Sequence, residues 1–331
     1  MGSKITEWVK PGDTSGEFKR PDSTFRNWIS NEPGSRFPPE KGRYHLYACR
    51  ALIARKLKGL EDFISFSVVH WYMREKGWRF PTPEDTDAPG ENVVPDPLPG
   101  HEAYTHLRQI YLSVEPNYGG RFTVPVLFDK KTDTIVNNES SEILRMFGSV
   151  FDDQLPELFA KVDLYPSALR AQIDETGGWT YDAINNGVYK CGFATTQEAY
   201  DRNVLALFDA LDRVEAQLRE GKGPYFFGDT LTETDIRLFV TLIRFDPVYV
   251  QHFKCNIRDI RSGYPHTHKW LRNLYWTHPA FKDTTNFLHI KNHYTKSHTQ
   301  INLHSIAPVG PLPDILPLDR EVATAEALRR G

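Results

Sequence analysis

The sequence contains little cysteine: three thiols occur among its 331 residues, at Cys49, Cys191 and Cys255. An odd and sparse set of cysteines excludes the disulfide framework of a small secreted domain, and no Cys-x-x-Cys spacing points to a structural zinc site. Each cysteine is therefore interpreted as a free thiol in a reducing compartment.

Long hydrophobic runs and blocks of one charge are missing as well. No segment approaches the roughly 20 apolar residues that a membrane-spanning helix needs, and residues 1–10 lack the apolar core of a secretory signal. The formal net charge of −3 disfavours a nucleic-acid-binding face or a polybasic membrane contact. We expect a cytoplasmic protein whose partners are small molecules or proteins, with neither nucleic acid nor membrane among them.

The composition that remains is that of a folded chain, with 40% hydrophobic and 25% charged residues. The length exceeds what one hydrophobic core usually serves, which predicts two domains. Residues 1–40 are rich in glycine, proline, serine and charge, so they are predicted to form an N-terminal extension that docks onto the fold. Residues 81–100 hold six prolines and are predicted to be an irregular inserted loop.

Strand and helix patterns alternate between these irregular segments. The predicted order is strand, helix, strand, helix, two strands and helix, at residues 44–47, 50–58, 63–69, 104–112, 123–129, 134–137 and 140–147. This order is typical of a thioredoxin-like α/β domain, which we assign to residues 41–150.

The rest of the chain has a helical pattern. Helices are predicted at residues 155–175, 196–220, 232–245 and 265–277. Thr232 and Asp235 have the spacing of a capping box at the start of one of them. We assign an all-helical domain to residues 151–291 and an irregular C-terminal extension to residues 292–331.

Four strings of this sequence resemble the xi class of glutathione transferases, the glutathionyl-hydroquinone reductases, which are related to the omega class. The strings lie at residues 120–127, 137–143, 187–194 and 292–298. The resemblance implies a thioredoxin-like domain followed by the helical glutathione transferase domain. It also implies glutathione as cosubstrate without a metal, a glutathionyl-hydroquinone or related aromatic thioether as substrate, and a homodimer.

The resemblance assigns a glutathione-binding site residue by residue. Glu139 and Ser140 match positions that hold the γ-glutamyl end, Glu139 pairing with the ammonium and Ser140 with the carboxylate. A predicted helix start favours a carboxylate there on physical grounds too, although an ordinary helix cap explains the same residues. Val124 and Pro125 match an element whose peptide bond is cis and whose Val124 backbone pairs with the ligand; a plain strand-start proline is the alternative. Two further positions match glutathione contacts, Trp78 and Arg121.

Three tyrosines, Tyr189, Tyr249 and Tyr294, match those that line the acceptor pocket in the family. The resemblance implies that their phenolic hydroxyls hold a hydroquinone oxygen and stabilise charge as sulfur leaves the ring. Tyr189 and Tyr294 lie within two of the four strings, and we expect them to assist catalysis.

Cys49 matches the family nucleophile, but the sequence around it is shorter than the family pattern. The family has Cys-Pro-Trp-Ala-His-Arg at a helix start, where the helix dipole and backbone N–H groups lower a thiol pKa. Here Arg50 follows Cys49 directly, so Pro-Trp-Ala-His is missing, and the connection before Ala48 is shorter too. Cys191 and Cys255 are nucleophile candidates only by elimination.

The short loop leaves more than one function open. If Cys49 is competent, the protein reduces glutathionyl-hydroquinones through a mixed disulfide on Cys49. If it is not, the protein binds glutathione and aromatic ligands without turnover. A conjugating transferase that uses Tyr47 to activate glutathione is a third interpretation.

Overall fold

The computed structural model describes residues 14–47 and 51–320 of the chain. Within these residues, contacts divide the chain into a sheet unit, residues 21–164, and a helical unit, residues 14–20 with 165–320. The sequence predicts boundaries at residues 40 and 150, whereas this division falls after residues 20 and 164. Residues 157–164 group with the sheet unit because the buried Lys58 donates a hydrogen bond to the carbonyl of Val162 at 2.7 Å.

The sheet unit contains a four-stranded sheet with the strand order β2-β1-β3-β4. The strands are β1 (Tyr44–Tyr47), β2 (Ile64–Ser67), β3 (Val126–Asp129) and β4 (Thr134–Asn137). Strands β1 and β2 are parallel, while β3 runs antiparallel to both of its neighbours. The helices of this unit are α1 (Ala51–Leu57), α2 (Leu107–Val114), α3 (Ser140–Ser149) and α4 (Glu157–Ala160). This confirms the predicted thioredoxin-like layout.

Burial explains why these segments fold where the sequence predicts. All residues of β1 and β3, the two central strands, are buried, as are Leu107, Ile110 and Tyr111 on α2. Each large apolar side chain buried in this way contributes about 1.5 to 3 kcal/mol. Helix α1 ends before Gly59, whose φ of +60° favours glycine and whose added Cβ would lie 2.6 Å from the ring of Phe159. Residues 81–100 contain no helix or strand, as predicted.

The described part of the helical unit contains helices and no strand. Its helices are α5 (Arg170–Thr180), α6 (Gly187–Gly192), α7 (Gln197–Glu220), α8 (Glu233–Leu242), α9 (Val250–His252), α10 (Ile260–Gly263), α11 (Pro265–Thr277), α12 (Pro279–Lys282) and α13 (Phe287–Ser297). Single π-helical turns occupy Tyr181–Asn185 and Phe245–Tyr249. No helix in the described ranges is both long and apolar enough to cross a membrane.

Helices α7, α8 and α11 lie where the sequence predicts them, and the capping box of α8 is confirmed. Asp235 accepts hydrogen bonds from the Thr232 N–H at 2.9 Å and from Trp270 Nε1 at 2.9 Å. A cap of this kind contributes about 1 kcal/mol. Here it also ties the start of α8 to α11.

Two helical predictions are wrong. A single helix over residues 155–175 does not form. Pro156 directly precedes α4, Pro166 interrupts the segment, and α4, a 3₁₀ turn and α5 take the place of the predicted helix. The prediction that the chain is irregular from residue 292 onward is wrong for residues 292–297, because these residues belong to α13. Its buried side is narrow, with Ile290 and Tyr294 one helical turn apart among polar neighbours, so the apolar period is weak in the sequence.

Candidate functional site

The start of α3 presents a carboxylate beside the N–H groups of a helix terminus. Glu139 is the N-cap of α3, and its Oε1 accepts hydrogen bonds from the N–H and the hydroxyl of Ser141, both at 3.1 Å. Glu139 and Ser140 are half-buried. A helix start attracts negative charge, whereas the Glu139 carboxylate attracts a cation. The pair therefore suits a zwitterionic α-amino acid group, which carries both charges on one carbon.

The loop before β3 lies close to this helix start. The peptide bond between Val124 and Pro125 is cis, as the resemblance implies. The hydroxyl of Tyr111, on α2, donates to the carbonyl of Thr123 at 2.7 Å and accepts from Asn138 Nδ2 at 3.3 Å. One buried tyrosine therefore joins the residue before Val124 to the residue before Glu139.

Burial raises the pKa of Tyr111 to about 12, so its hydroxyl keeps its proton and holds both segments at neutral pH. The sequence did not point to this residue. Asn138 lies within one of the four strings, but nothing near Tyr111 in the sequence marks it as part of a site.

Trp78 and Arg121 both contact the hydrophobic core of the sheet unit. Trp78 and Val124 pack against one cluster of buried side chains, which includes Tyr111 and Tyr118. The Tyr118 hydroxyl donates to the Arg121 carbonyl at 3.3 Å. Three of the predicted glutathione residues, Trp78, Arg121 and Val124, thus contact members of this one cluster.

The three predicted pocket tyrosines meet within the helical unit. The hydroxyl oxygens of Tyr189 and Tyr294 are 2.6 Å apart, and those of Tyr249 and Tyr294 are 2.8 Å apart. Two contacts use two of the three hydroxyl hydrogens, so one hydrogen remains to donate to a further acceptor. Tyr249 and Tyr294 are buried and Tyr189 is half-buried, so Tyr189 is the more exposed end of this row of three hydrogen-bonded hydroxyls.

Burial raises the pKa of Tyr249 and of Tyr294 well above the usual value, so both remain neutral hydroxyls at physiological pH. Other aromatic side chains contact the tyrosines and were not singled out from the sequence: Phe18, Phe193, Phe253 and His298. Gly192 allows this packing, because a Cβ there would lie 2.0 Å from the ring of Phe253.

Comparison with known proteins places this arrangement in a family. Residues 46–150 match the model of the glutathione S-transferase N-terminal domain, and residues 197–273 match that of the C-terminal domain. Glutathione S-transferase omega-like 2 of Schizosaccharomyces pombe is 53% identical over 94% of this chain and 97% of its own. The glutathionyl-hydroquinone reductase YqjG of Escherichia coli is 50% identical over 93% of each chain. The crystal structure of the glutathione S-transferase Xi from Phanerochaete chrysosporium is 57% identical, with a TM-score of 0.83 over 91% of this chain and 100% of that one.

The chain belongs to the xi class of glutathione transferases. It is therefore a member of a family of enzymes. A further xi-class structure, ECM4 from Saccharomyces cerevisiae, was solved in complex with glutathione; it is 45% identical, with a TM-score of 0.84 over 90% of this chain and 100% of that one.

The xi-class nucleophile position, Cys49, lies outside the described residues, so its assignment stays a prediction. The other two cysteines are free thiols, with 2% of Cys191 and none of Cys255 exposed. Burial raises the pKa of the Cys255 thiol well above its ordinary value. Neither buried thiol has the accessible, electropositive surroundings of a reactive cysteine.

Tyr47, on which the interpretation as a conjugating transferase depends, has its hydroxyl engaged within the fold. Its side chain is fully buried in β1, and its hydroxyl donates to the Asp96 carboxylate at 2.9 Å. Burial raises its pKa far above the ordinary value, so the hydroxyl keeps its proton at neutral pH. The hydrogen bond instead anchors the proline-rich loop to β1.

One group of side chains in the described residues has metal-ligand chemistry: His70, Asp85 and Asp87. His70 Nδ1 accepts a hydrogen bond from the Tyr72 N–H at 2.9 Å, which leaves the ring proton on Nε2, the atom 3.2 Å from Asp87. Both oxygens of Asp85 accept from Arg79, at 2.6 and 2.8 Å. A metal-ligating histidine must offer a lone pair, so this group does not fit a cation.

Proposed function

We propose that this xi-class protein reduces glutathionyl-hydroquinones to hydroquinones, with glutathione as cosubstrate and Cys49 as nucleophile. The observation that carries the proposal is the start of α3, where the Glu139 carboxylate lies beside helix N–H groups and one tyrosine away from Thr123. That combination suits a γ-glutamyl end followed by a peptide backbone. The names of the relatives, YqjG among them, support the reaction class.

In the proposed complex, Glu139 binds the γ-glutamyl ammonium while Ser140 and the N–H groups of α3 bind its carboxylate. The backbone of Val124 pairs with the cysteinyl part of glutathione, as an added strand pairs with a sheet edge. Trp78 and Arg121 complete the site. No metal or nucleotide has a role in this scheme.

The proposed chemistry is two thiol exchanges. The Cys49 thiolate attacks the sulfur of the substrate and forms a mixed disulfide with its glutathionyl group. The bond between sulfur and the ring carbon breaks, its electron pair goes to that carbon, and a proton completes the hydroquinone. A second glutathione thiolate then attacks the mixed disulfide, which releases glutathione disulfide and restores the Cys49 thiolate.

The tyrosines support the first exchange in this scheme. Because Tyr249 and Tyr294 are buried, Tyr189 is the group that donates the remaining hydrogen to a substrate oxygen, and Tyr294 acts through Tyr189. A positioned donor stabilises charge that develops on the ring as the sulfur leaves.

The proposal is tested by incubating the protein with a glutathionyl-hydroquinone and glutathione and separating the products. Hydroquinone and glutathione disulfide are expected in equal amounts. Absence of both products under conditions in which E. coli YqjG forms them would overturn the proposed activity.

One observation favours a second candidate, a binding protein without turnover. Strand β1 ends at Tyr47 and α1 begins at Ala51, so only residues 48–50 connect them. Such a protein would keep the site around Glu139 and Val124 but lack the reaction. Glutathione binding without either product distinguishes it.

Replacing Glu139 with glutamine should weaken glutathione binding about ten- to a hundredfold, because a hydrogen bond to a charged group contributes about 1.5 to 3 kcal/mol. Glutamine keeps an oxygen that can cap the Ser141 N–H, so α3 should stay intact. Calorimetry measures the affinity. Glu157→Gln, which removes the same charge at the start of α4, is the matched control; equal affinities in wild type and Glu139→Gln would contradict the assignment.

Replacing Tyr189 with phenylalanine should slow hydroquinone release about a hundredfold, the low end for losing one positioned donor. The KM for glutathione should not change, because the affected group acts on the aromatic acceptor. Tyr200→Phe is the control, since Tyr200 is another half-buried tyrosine of the helical unit and donates to the Lys254 carbonyl at 2.6 Å. Equal rates for the two variants would remove Tyr189 from the scheme.

A further inference from the structure

The arm formed by residues 21–40 covers the open edge of the sheet. Strand β4 is the last in the strand order, and an uncovered edge strand would present unpaired backbone groups. Asn27 donates its N–H to the Val136 carbonyl at 3.0 Å, and Asn138 donates its N–H to the Phe25 carbonyl at 3.0 Å. The arm therefore pairs with β4 at the point where the chain turns into α3.

Side chains fasten the arm at the same place. The Arg26 guanidinium donates to both oxygens of Glu142, in the first turn of α3, at 2.7 and 2.5 Å. Asn137 Nδ2 donates to the Asn27 carbonyl at 3.0 Å. These contacts fix the arm against the helix start that carries Glu139.

Ser23 is the arm residue that reaches the predicted ligand-binding carboxylate. Its hydroxyl lies 3.2 Å from Glu139 Oε2 and 3.2 Å from the Asn138 carbonyl oxygen, so its single hydrogen is directed to these two acceptors. The other oxygen of Glu139 is held by Ser141. Both carboxylate oxygens are thus oriented, one by α3 and one by the arm.

The arm also reaches the loop before β3. The Phe25 N–H donates to Asn138 Oδ1 at 3.2 Å, which directs the amide nitrogen of Asn138 toward Tyr111. Tyr111 in turn donates to the Thr123 carbonyl. A continuous chain of hydrogen bonds therefore runs from the arm to the residue before Val124.

We infer that the N-terminal arm is a working part of the glutathione site and that Ser23 is a positioning residue for the Glu139 carboxylate. This inference rests on the proposed glutathione binding and adds to it a specificity for the γ-glutamyl ammonium. An oriented carboxylate has less side-chain freedom to lose when the ammonium binds, so the affinity for a ligand that carries this ammonium is higher.

The test is the affinity of the full-length Ser23→Ala variant for two ligands, glutathione and glutaryl-cysteinylglycine. The second ligand keeps the carboxylate of the γ-glutamyl end and lacks only its α-ammonium group. We expect Ser23→Ala to lower the affinity for glutathione about fivefold, the effect of losing one ordinary hydrogen bond, and to leave the affinity for the second ligand unchanged. Ser23→Thr keeps the hydroxyl and should restore the affinity. Ser30→Ala is the matched control, because Ser30 lies on the same arm and accepts from the Glu32 N–H at 3.1 Å.

Two results would overturn the inference while the proposed function stands. In the first, wild type and Ser23→Ala bind glutathione equally well. In the second, Ser23→Ala lowers the affinity for both ligands by the same factor, which shows that the arm only stabilises the fold. If wild type itself fails to bind glutathione, the proposed function fails, and the inference fails with it.

Discussion

Replacing Cys49 with serine should remove all glutathionyl-hydroquinone reduction while glutathione still binds. The reaction needs a sulfur nucleophile that can form and then release a mixed disulfide, and a serine hydroxyl can do neither at neutral pH. The groups assigned to glutathione lie elsewhere, at Val124, Glu139 and Ser140, so calorimetry should give a wild-type affinity. Product separation measures turnover. Mass spectrometry of the wild-type protein after treatment with substrate should place the glutathionyl group on Cys49.

The other two thiols provide the controls for this experiment. Cys191→Ala and Cys255→Ala remove buried thiols of the helical unit, and both variants should keep wild-type turnover. Retained activity in Cys49→Ser, or a complete loss in a folded Cys191→Ala variant, would transfer the nucleophile's role away from Cys49.

Local sequence signals are sufficient for the elements that a few neighbouring residues determine. Helix α11 has the predicted bounds because Pro265 occupies its first position, and the start of α8 follows from the Thr232–Asp235 cap. Prediction fails where the signal is mixed. Helix α13 buries a narrow stripe among polar residues. The prediction of one helix at 155–175 overlooked Pro166, which breaks the segment between α4 and α5.

The residues of the candidate site also separate into those that local sequence indicates and those that only contacts in the folded chain reveal. Glu139, Ser140 and Pro125 lie within short strings that resemble the family, so the sequence alone is enough to indicate them. Ser23 and Tyr111 act through contacts with residues 116 and 27 positions away, and no periodicity or spacing records such contacts. The tyrosines are intermediate: the resemblance indicates them, but their joined hydroxyls, 105 positions apart for Tyr189 and Tyr294, are evident only in the folded chain.

The connection between β1 and α1 is short, and the two elements that it joins are both buried. Strand β1 is buried in the middle of the sheet, and the first five residues of α1, Ala51 to Arg55, are all buried. Arg55 donates to the Ile64 carbonyl at 2.6 Å, and Lys58 pairs with Asp152 at 2.7 Å. These buried contacts of α1 oppose a shift of the helix that would compensate for the missing Pro-Trp-Ala-His.

Restoring Pro-Trp-Ala-His after Cys49, together with the residues missing before Ala48, should raise the turnover rate by at least about a hundredfold, because a misplacement of 1 Å costs roughly that much. The longer loop would let the Cys49 sulfur lie at a helix N-terminus, where the dipole and backbone N–H groups favour the thiolate. Glutathione affinity should stay the same, since Glu139 and Val124 are untouched. A matched variant, with the same residues restored before Ala48 but four alanines after Cys49, separates the effect of loop length from that of the Pro-Trp-Ala-His side chains. If the present chain already has the same turnover rate as the repaired one, the short loop is no obstacle to catalysis. If neither protein turns over substrate while both bind glutathione, the function is that of a binding protein, because the thiol chemistry is then absent even with a complete loop.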